Sequence, residues 1–246
     1  ALAKADVRIT LIDKRNFNLF QPLLYQVATG LVSRSDVATP LRELVGTQEN
    51  VQVLLGEVTA VNPEGKQIVF NGKAYSYDHL ILATGSGSTY FGHEDWRTFA
   101  PPMKILEHAE EIRRRLLMAM EQAEQTPNPE ARQFLQTVVI VGGGPTGCEM
   151  AGAVSELMRW ALNNAYKQLD SQKTRIVLVD PGDRVLRAMP EELSEEAQKA
   201  LELNGVEFIP QGRVQTMRPG EVVISSPGGD VRIQAATVIW TAGVKP

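Results

Sequence analysis

The sequence predicts an α/β protein built from two related units, each a parallel sheet with an antiparallel meander inserted into it. Three observations carry this. Two β-branched runs end in aspartate, Arg8-Ile9-Thr10-Leu11-Ile12-Asp13 and Arg175-Ile176-Val177-Leu178-Val179-Asp180, the pattern of a buried parallel strand. Each run is followed by the same series of landmarks in the same order, which marks an internal repeat. A third apolar strand, Thr137-Val138-Val139-Ile140-Val141, leads directly into a glycine-rich loop and then into a helix of small residues.

Composition sets the outer bounds. At ~150 residues per domain, 246 residues fall between one domain and two. Lys plus Arg number 25 against 29 Asp plus Glu, a net charge of −4 that gives no basic footprint for nucleic acid. Hydrophobic residues at 43% and charged residues at 22% are those of a globular chain, which excludes bulk disorder. No apolar run reaches the ~18 residues of a membrane span, and residues 1 to 15 carry no signal-peptide pattern. The single cysteine, Cys148, forbids an intrachain disulfide or a catalytic cysteine pair and suits a reducing compartment.

In the first copy, the strand ending at Asp13 is followed by Val51 to Val58, read as strand, glycine, strand. A turn at Pro63 to Gly65, short strands around Ile68 and Phe70, and an apolar strand Leu80-Ile81-Leu82-Ala83-Thr84-Gly85 complete it. In the second, the strand ending at Asp180 is followed by Val206 to Val214, a Pro219-Gly220 turn, strands around Val222 and Ile224, and Val238-Ile239-Trp240-Thr241-Ala242-Gly243. Between the copies, Ile105, Ala109, Ile112, Leu116 and Ala119 or Met120 recur at helical spacing over Lys104 to Gln125. Glu110/Arg114 and Glu111/Arg115 are spaced as i,i+4 pairs on the solvated face. Gln125 to Ala131 reads as the following loop. The predicted division is therefore residues 1–100 and 101–246.

Gly142-Gly143-Gly144-Pro145-Thr146-Gly147 satisfies G-x-G-x-x-G between a strand and a helix. Glycines there allow the tight turn, the approach of backbone N–H groups to a pyrophosphate, and close packing of helix on strand. The helix N-terminus adds its positive dipole end. Both units are thus predicted to be Rossmann-like, three-layer dinucleotide-binding domains. Asp180 lies further along than the usual ~20 residues because the intervening helix and its exit are extended. A carboxylate there accepts from both ribose hydroxyls and repels a 2′-phosphate, favouring NADH, although Arg184 and Arg187 are near enough to leave NADPH open. Asp13 holds the same position in the first copy. Its glycine loop would fall before Ala1, so the chain is expected to lack that copy's first strand and phosphate loop.

These residues resemble the two-dinucleotide-binding-domain flavoproteins of glutathione-reductase-like topology, and within them the type II, non-proton-pumping NADH:quinone oxidoreductases. Leu19-Phe20-Gln21-Pro22-Leu23-Leu24-Tyr25-Gln26-Val27-Ala28 carries the resemblance together with Gly142 to Glu149 and Trp240-Thr241-Ala242-Gly243-Val244. It implies FAD in residues 1–100 and NADH in residues 101–246. Asp13, Lys14, Val58 and Ala83-Thr84-Gly85 would then serve FAD, and Gln21, Pro22 and Leu23 would lie beside the flavin and the quinone approach. Gly142, Gly143, Gly144, Pro145, Thr146, Gly147, Asp180, Ala242 and Gly243 complete the implied cofactor contacts, with Glu149 and Gln26 catalytic. The implied reaction is hydride transfer from NADH to FAD and two-electron transfer to quinone. Respiratory electron transport, peripheral attachment to the cytoplasmic membrane face and compatibility with a homodimer follow from the same resemblance. Asn18 departs from the family's common histidine and Cys148 from its aliphatic residue. The chain ends before the family's second FAD-contacting Gly-Asp, its quinone motif and its membrane-anchoring helices, so weak FAD binding is expected of the chain itself.

Bland readings stand beside these. Phe20 to Ala28 also reads as a core helix starting at Pro22, and Glu149 as a first-turn acid complementing the helix dipole. Cys148 reads as small-residue packing rather than a redox thiol, and His79, His93 and His108 show no metal-ligand spacing. Two other functions remain open: a soluble NAD(P)H:ferredoxin- or rubredoxin-type reductase, and a nucleotide-binding redox sensor without turnover.

Overall fold

The structure, a computed structural model, describes residues 2–245, leaving aside the side chains of residues 162 and 163. Three short helices come early, α1 (Leu24–Thr29), α2 (Arg34–Val37) and α3 (Leu41–Val45). The chain divides into two compact units, one comprising Ala1–Phe20 and Arg34–Gly85, the other Gln21–Ser33 and Ser86–Pro246.

The first unit holds β1 (Ile9–Asp13), β2 (Phe17–Leu19), β3 (Ala38–Pro40), β4 (Val51–Leu55), β5 (Val58–Asn62), β6 (Gln67–Phe70) and β7 (Lys73–Ser76). β1 runs parallel to β4, with Ile9 opposite Val51 and Asp13 opposite Leu55. β5, β6 and β7 form the expected antiparallel meander, which buries Ile68 and Phe70. Gly56 joins β4 to β5 at φ +155°, and a Cβ there would stand 2.3 Å from Cε2 of Phe70. Only glycine fits that turn.

Leu80 to Gly85, read from the sequence as a strand, forms none. Ile81 and Leu82 are 82% and 63% exposed. The corresponding strand of the second unit pairs with the strand that precedes the glycine loop. Among the described residues the first unit offers no such strand, and an apolar run without a ladder partner leaves its N–H and C=O groups to water.

The second unit contains β8 (Gly87–Ser88), α4 (Leu106–Gln125), α5 (Pro129–Leu135), β9 (Thr137–Val141), α6 (Pro145–Asn164), β10 (Arg175–Val179), α7 (Glu191–Leu203) and β11 (Val206–Ile209). After them come β12 (Arg213–Arg218), β13 (Glu221–Ser226), β14 (Gly229–Gln234), β15 (Thr237–Trp240) and β16 (Val244–Lys245). Its sheet has the order β11-β10-β9-β15, parallel throughout. Alternation along the strands turns Val139, Val141, Val177, Val179, Val238 and Trp240 toward one face, where Met217, Val222, Ile224 and Ile233 of the β12-β13-β14 meander close over them. Val138, Ile140, Ile176, Leu178 and Ile239 are left for the other face, on which α4 and α6 pack. Helices, sheet and meander make three layers.

The boundary expected at residue 100 differs from the division into compact units. α1 buries Leu24, Val27 and Ala28 and packs against α4 and α6, so residues 21–33 belong with the second unit. Its apolar face has no periodic partner nearby in sequence that would reveal this. Residues 86–100 join the same unit because Tyr90, Trp96 and Ala100 enter the core beneath Trp240.

α4 buries the expected stripe of Ala109, Ile112, Leu116, Ala119 and Met120. On its other side Arg114 and Arg115 both bond Glu111, at 2.7 Å each. Arg115 also donates to the carbonyls of Phe99 (2.6 Å) and Thr98 (3.1 Å). The two guanidinium groups hold the Glu111 carboxyl down at about 2, Arg114 contributing most. A carboxylate whose folded pKa lies below its unfolded one stabilises above the unfolded value and loses this as pH falls toward the folded one. Glu111→Gln is expected to cost up to about 1 kcal/mol at neutral pH. Urea unfolding of both proteins between pH 7 and 2 should show the difference shrinking below about pH 4.5 and vanishing near pH 2.

Candidate active site

Every residue of β9 is buried, and the strand stops where Gly142 turns at φ +114° and donates to the Val179 carbonyl at 2.8 Å. The glycines of the loop then divide by what surrounds them. A Cβ on Gly142 would meet the Ala242 nitrogen and Thr241 Oγ1, each at 2.8 Å, and one on Gly143 would meet Cβ of Asp180 at 2.9 Å. One on Gly147 would come within 1.7 Å of the Gly142 carbonyl oxygen. Around Gly144 there is nothing within 4 Å. Three glycines therefore lock the loop against β15, Asp180 and the start of α6, and the fourth faces open space.

α6 begins on that open side, with Gly144 as its N-cap and Pro145 in its first turn. No side chain caps it, so first-turn N–H groups without intrahelical partners face the same space as the positive end of the dipole. An anion of pyrophosphate size is the natural occupant.

Asp180 ends β10 and uses both carboxylate oxygens. Oδ2 accepts from the Gly143 N–H at 2.6 Å and Oδ1 from the Gly182 N–H at 2.7 Å. Sequence reasoning assigned this residue to a ribose; the structure adds that it ties the glycine loop to the turn after β10. Past it lies an open pocket of about 500 Å³ lined by Gly182, Asp183, Arg187, Gln211 and Arg213 among others. Arg187 folds over Gly182, where a Cβ would meet its Cδ at 2.2 Å. Arg184 instead donates to the Met189 carbonyl at 3.3 Å.

On the other side of the loop, Thr241 Oγ1 donates between the carbonyls of Val141 (2.8 Å) and Gly142 (3.0 Å). This hydroxyl joins the end of β15 to the loop, and Ala242 and Gly243 follow directly. The sequence places Thr241 in the Trp240 to Val244 segment without giving it a role of its own. Its position between the flagged Trp240 and Ala242 was the available signal.

Burial, with Asp180 and Glu149 nearby, pushes the Cys148 thiol up to about 11. It stays protonated at neutral pH and is a packing residue rather than a reactive thiolate. Glu149 departs from its sequence placement: α6 starts at Pro145, so Glu149 is the fifth residue and opens the second turn rather than lying in the first. Its pKa is raised by desolvation. The dipole reading of Glu149 therefore fails on position.

Gln21, Pro22 and Leu23 form a single 3-10 turn leading into α1, with Gln21 Nε2 donating to the Lys104 carbonyl at 3.3 Å. Gln26 lies on α1, half-buried, and its Nε2 donates to Tyr25 Oη at 3.0 Å. α1 packs on α6, the helix that carries Glu149.

The remaining predicted residues lie in the first unit. Asp13 Oδ1 accepts from the N–H groups of Arg15 (2.6 Å) and Asn16 (3.0 Å), and Oδ1 of Asn16 is buried without a hydrogen-bond partner. Lys14 pairs with Glu57 at 3.7 Å on the surface, and Val58 opens β5. Ala83, Thr84 and Gly85 are exposed in the irregular segment, with Gly85 at φ +72° and nothing within 4 Å of its would-be Cβ. Among the described residues no cluster of three or more His, Cys, Asp or Glu side chains could hold a metal, and no helix is long and apolar enough to cross a membrane.

The chain is 44% identical over 248 residues to the type II NADH:quinone oxidoreductase Ndh of Mycobacterium tuberculosis, covering 99% of this chain and 54% of that protein. The same organism's NdhA, also a type II NADH:quinone oxidoreductase, is 40% identical over 249 residues, with 99% and 53% covered. The chain thus spans about half the length of the curated relatives it matches. Among solved structures, NDH2 from Plasmodium falciparum in complex with NADH matches with a TM-score of 0.89 at 23% identity, over 96% of this chain and 50% of that one. The sulfide:quinone oxidoreductase of Aquifex aeolicus matches with a TM-score of 0.78 at 18% identity, over 97% and 53%. At these identities the likeness shows the fold, which is the Rossmann-like α/β architecture already described. The family model for pyridine nucleotide-disulphide oxidoreductases matches residues 1–246, and the chain belongs to that family.

Proposed function

We propose that the chain is the nucleotide-binding part of a flavoprotein oxidoreductase that takes hydride from NADH and delivers two electrons to a quinone. The open space around Gly144, at the uncapped start of α6 and between three locked glycines, is the observation that carries the dinucleotide half of this reading. Similarity to two type II NADH:quinone oxidoreductases at 44% and 40% identity supports the acceptor.

In the second unit, Gly142 to Gly147 and the first turn of α6 bind the pyrophosphate. Asp180 orients the adenosine ribose while holding the loop, and Ala242 and Gly243 line the far half. In the first unit, the Asp13 carboxylate offers an acceptor suited to the hydroxyls of FAD, with Lys14, Val58 and Ala83 to Gly85 on the same unit. A bound flavin supplies the two-electron relay between NADH and quinone. Glu149, whose carboxyl holds a proton more readily than a free one, takes up or gives a proton near the exchanging partners, and Gln26 on the helix beside α6 is the second catalytic group. A quinone is lipid-soluble, so the proposal includes peripheral attachment to the cytoplasmic membrane face; a homodimer is compatible with it.

Anaerobic addition of NADH to the purified, flavin-loaded protein tests this. The flavin absorbance should bleach and recover when a quinone is added, and Glu149→Gln should slow recovery with an unchanged melting temperature. A flavin that NADH leaves oxidised would refute the proposal.

A further inference from the structure

Tyr90 to His93 form a tight turn closed by the His93 N–H on the Tyr90 carbonyl at 3.1 Å. Both central residues have positive φ, Phe91 at +55° and Gly92 at +97°. A turn of that kind favours Asn, Asp or Gly at its first central position and is poorly served by a bulky aromatic. Phe91 recovers little of the cost through burial, because 67% of it is exposed. The neighbouring aromatics are used differently. Tyr90 is fully buried, stacked on Trp240 at 4.7 Å, and donates its hydroxyl to the Ala100 carbonyl. Phe91 thus combines left-handed backbone and a solvent-facing ring on a turn anchored by the core, a combination that points to function.

The ring's location says which function. A Cβ on Gly243 would stand 2.7 Å from Phe91 Cζ, and the ring is tilted 55° to Trp240 at 6.4 Å. It therefore stands directly over the end of β15. In the order β11-β10-β9-β15 the glycine loop follows β9, Asp180 follows β10 on one side of it, and Gly243 follows β15 on the other. A dinucleotide crosses such a sheet at the carboxyl ends of the strands where the order reverses, which is between β9 and β15. With its adenosine at Asp180 and its pyrophosphate at the loop, its second half lies over β15.

We infer that Phe91 is a cofactor-contacting residue whose exposed ring receives the nicotinamide half of NADH, a flat heteroaromatic group, at the end of β15. This rests on NADH as the ligand of the second unit. The strained turn presents the ring and Gly243 leaves room beneath it, so that the backbone beside Ala242 and the aromatic surface form one shelf.

Calorimetric titration of the chain with NADH and with ADP-ribose, which lacks the nicotinamide, tests the inference on wild type, Phe91→Ala and Phe91→Tyr. Phe91→Ala should weaken NADH about tenfold or more, in line with the loss of an aromatic stacking partner. ADP-ribose binding should be unchanged, and Phe91→Tyr should bind NADH like wild type. Unchanged NADH affinity in Phe91→Ala, or an equal loss for both ligands, overturns the inference while leaving NADH as the ligand. A wild-type chain that binds neither overturns both.

Discussion

Gly147→Ala should abolish dinucleotide binding and lower the stability of the second unit at the same time. Its Cβ would lie 1.7 Å from the Gly142 carbonyl oxygen and 2.9 Å from Thr241 Oγ1. The first of these is backbone and cannot rotate away, so relief requires α6 to lift off β9 and the loop to open. Forced overpacking of this kind costs about 1–3 kcal/mol, and because the loop itself must move, affinity for NADH should fall at least a hundredfold. Gly144→Ala is the informative partner. With nothing within 4 Å of its Cβ position, it should melt like wild type, yet the methyl group would stand in the space a pyrophosphate needs and weaken NADH strongly. Paired thermal melts and fluorescence titrations separate the two effects. Gly144→Ala binding NADH as wild type does would place the ligand elsewhere.

Asp180→Ala should produce the second large effect, in two parts that the structure makes separable. Two short bonds to charged oxygens, 2.6 Å from Gly143 N and 2.7 Å from Gly182 N, are lost, and two backbone donors are left without partners. Charge-assisted bonds contribute ~1.5–3 kcal/mol each, so a stability loss of about 3 kcal/mol is expected from the brace alone. Ligand affinity falls as well. NADH should weaken by about a hundredfold or more through the ribose contacts together with a loosened loop, and NADPH by less because repulsion of its 2′-phosphate disappears. Asp180→Asn, which keeps one acceptor oxygen but presents an amide nitrogen to the other N–H, should fall between. Equal loss of NADH and NADPH affinity with full loss of stability would leave Asp180 as a brace only.

Gly142, Gly144 and Gly147 are legible from spacing alone, but their surroundings are not: a Cβ on Gly142 would meet Ala242 and Thr241, one on Gly147 the Gly142 carbonyl, and one on Gly144 nothing within 4 Å. Asp180 was legible as a strand-ending acid, but its carboxylate partners were not, since Gly143 and Gly182 reach it only when β9 and β10 lie side by side. Glu149 lies one turn further along than the sequence suggests, because α6 starts at Pro145. Phe91 left no signal at all, because a positive φ on a phenylalanine contradicts local preference.

The sequence by itself determined the strands that flank Asp13 and Asp180, the strand before the glycine loop, the glycine loop itself, the buried stripe of α4 and the two meanders. All of these follow from periodicity and turn chemistry within a few residues, where side-chain spacing and backbone preference act directly. Tertiary structure decided whatever depended on a distant partner. Leu80 to Gly85 had the composition of a strand and lacked a ladder to join, and α1 had an apolar face whose owner, α4 and α6, lies far along the chain. An element forms where its own residues favour it, but a hydrogen-bond ladder or a buried face is completed by the second surface, and local sequence does not specify where that surface is.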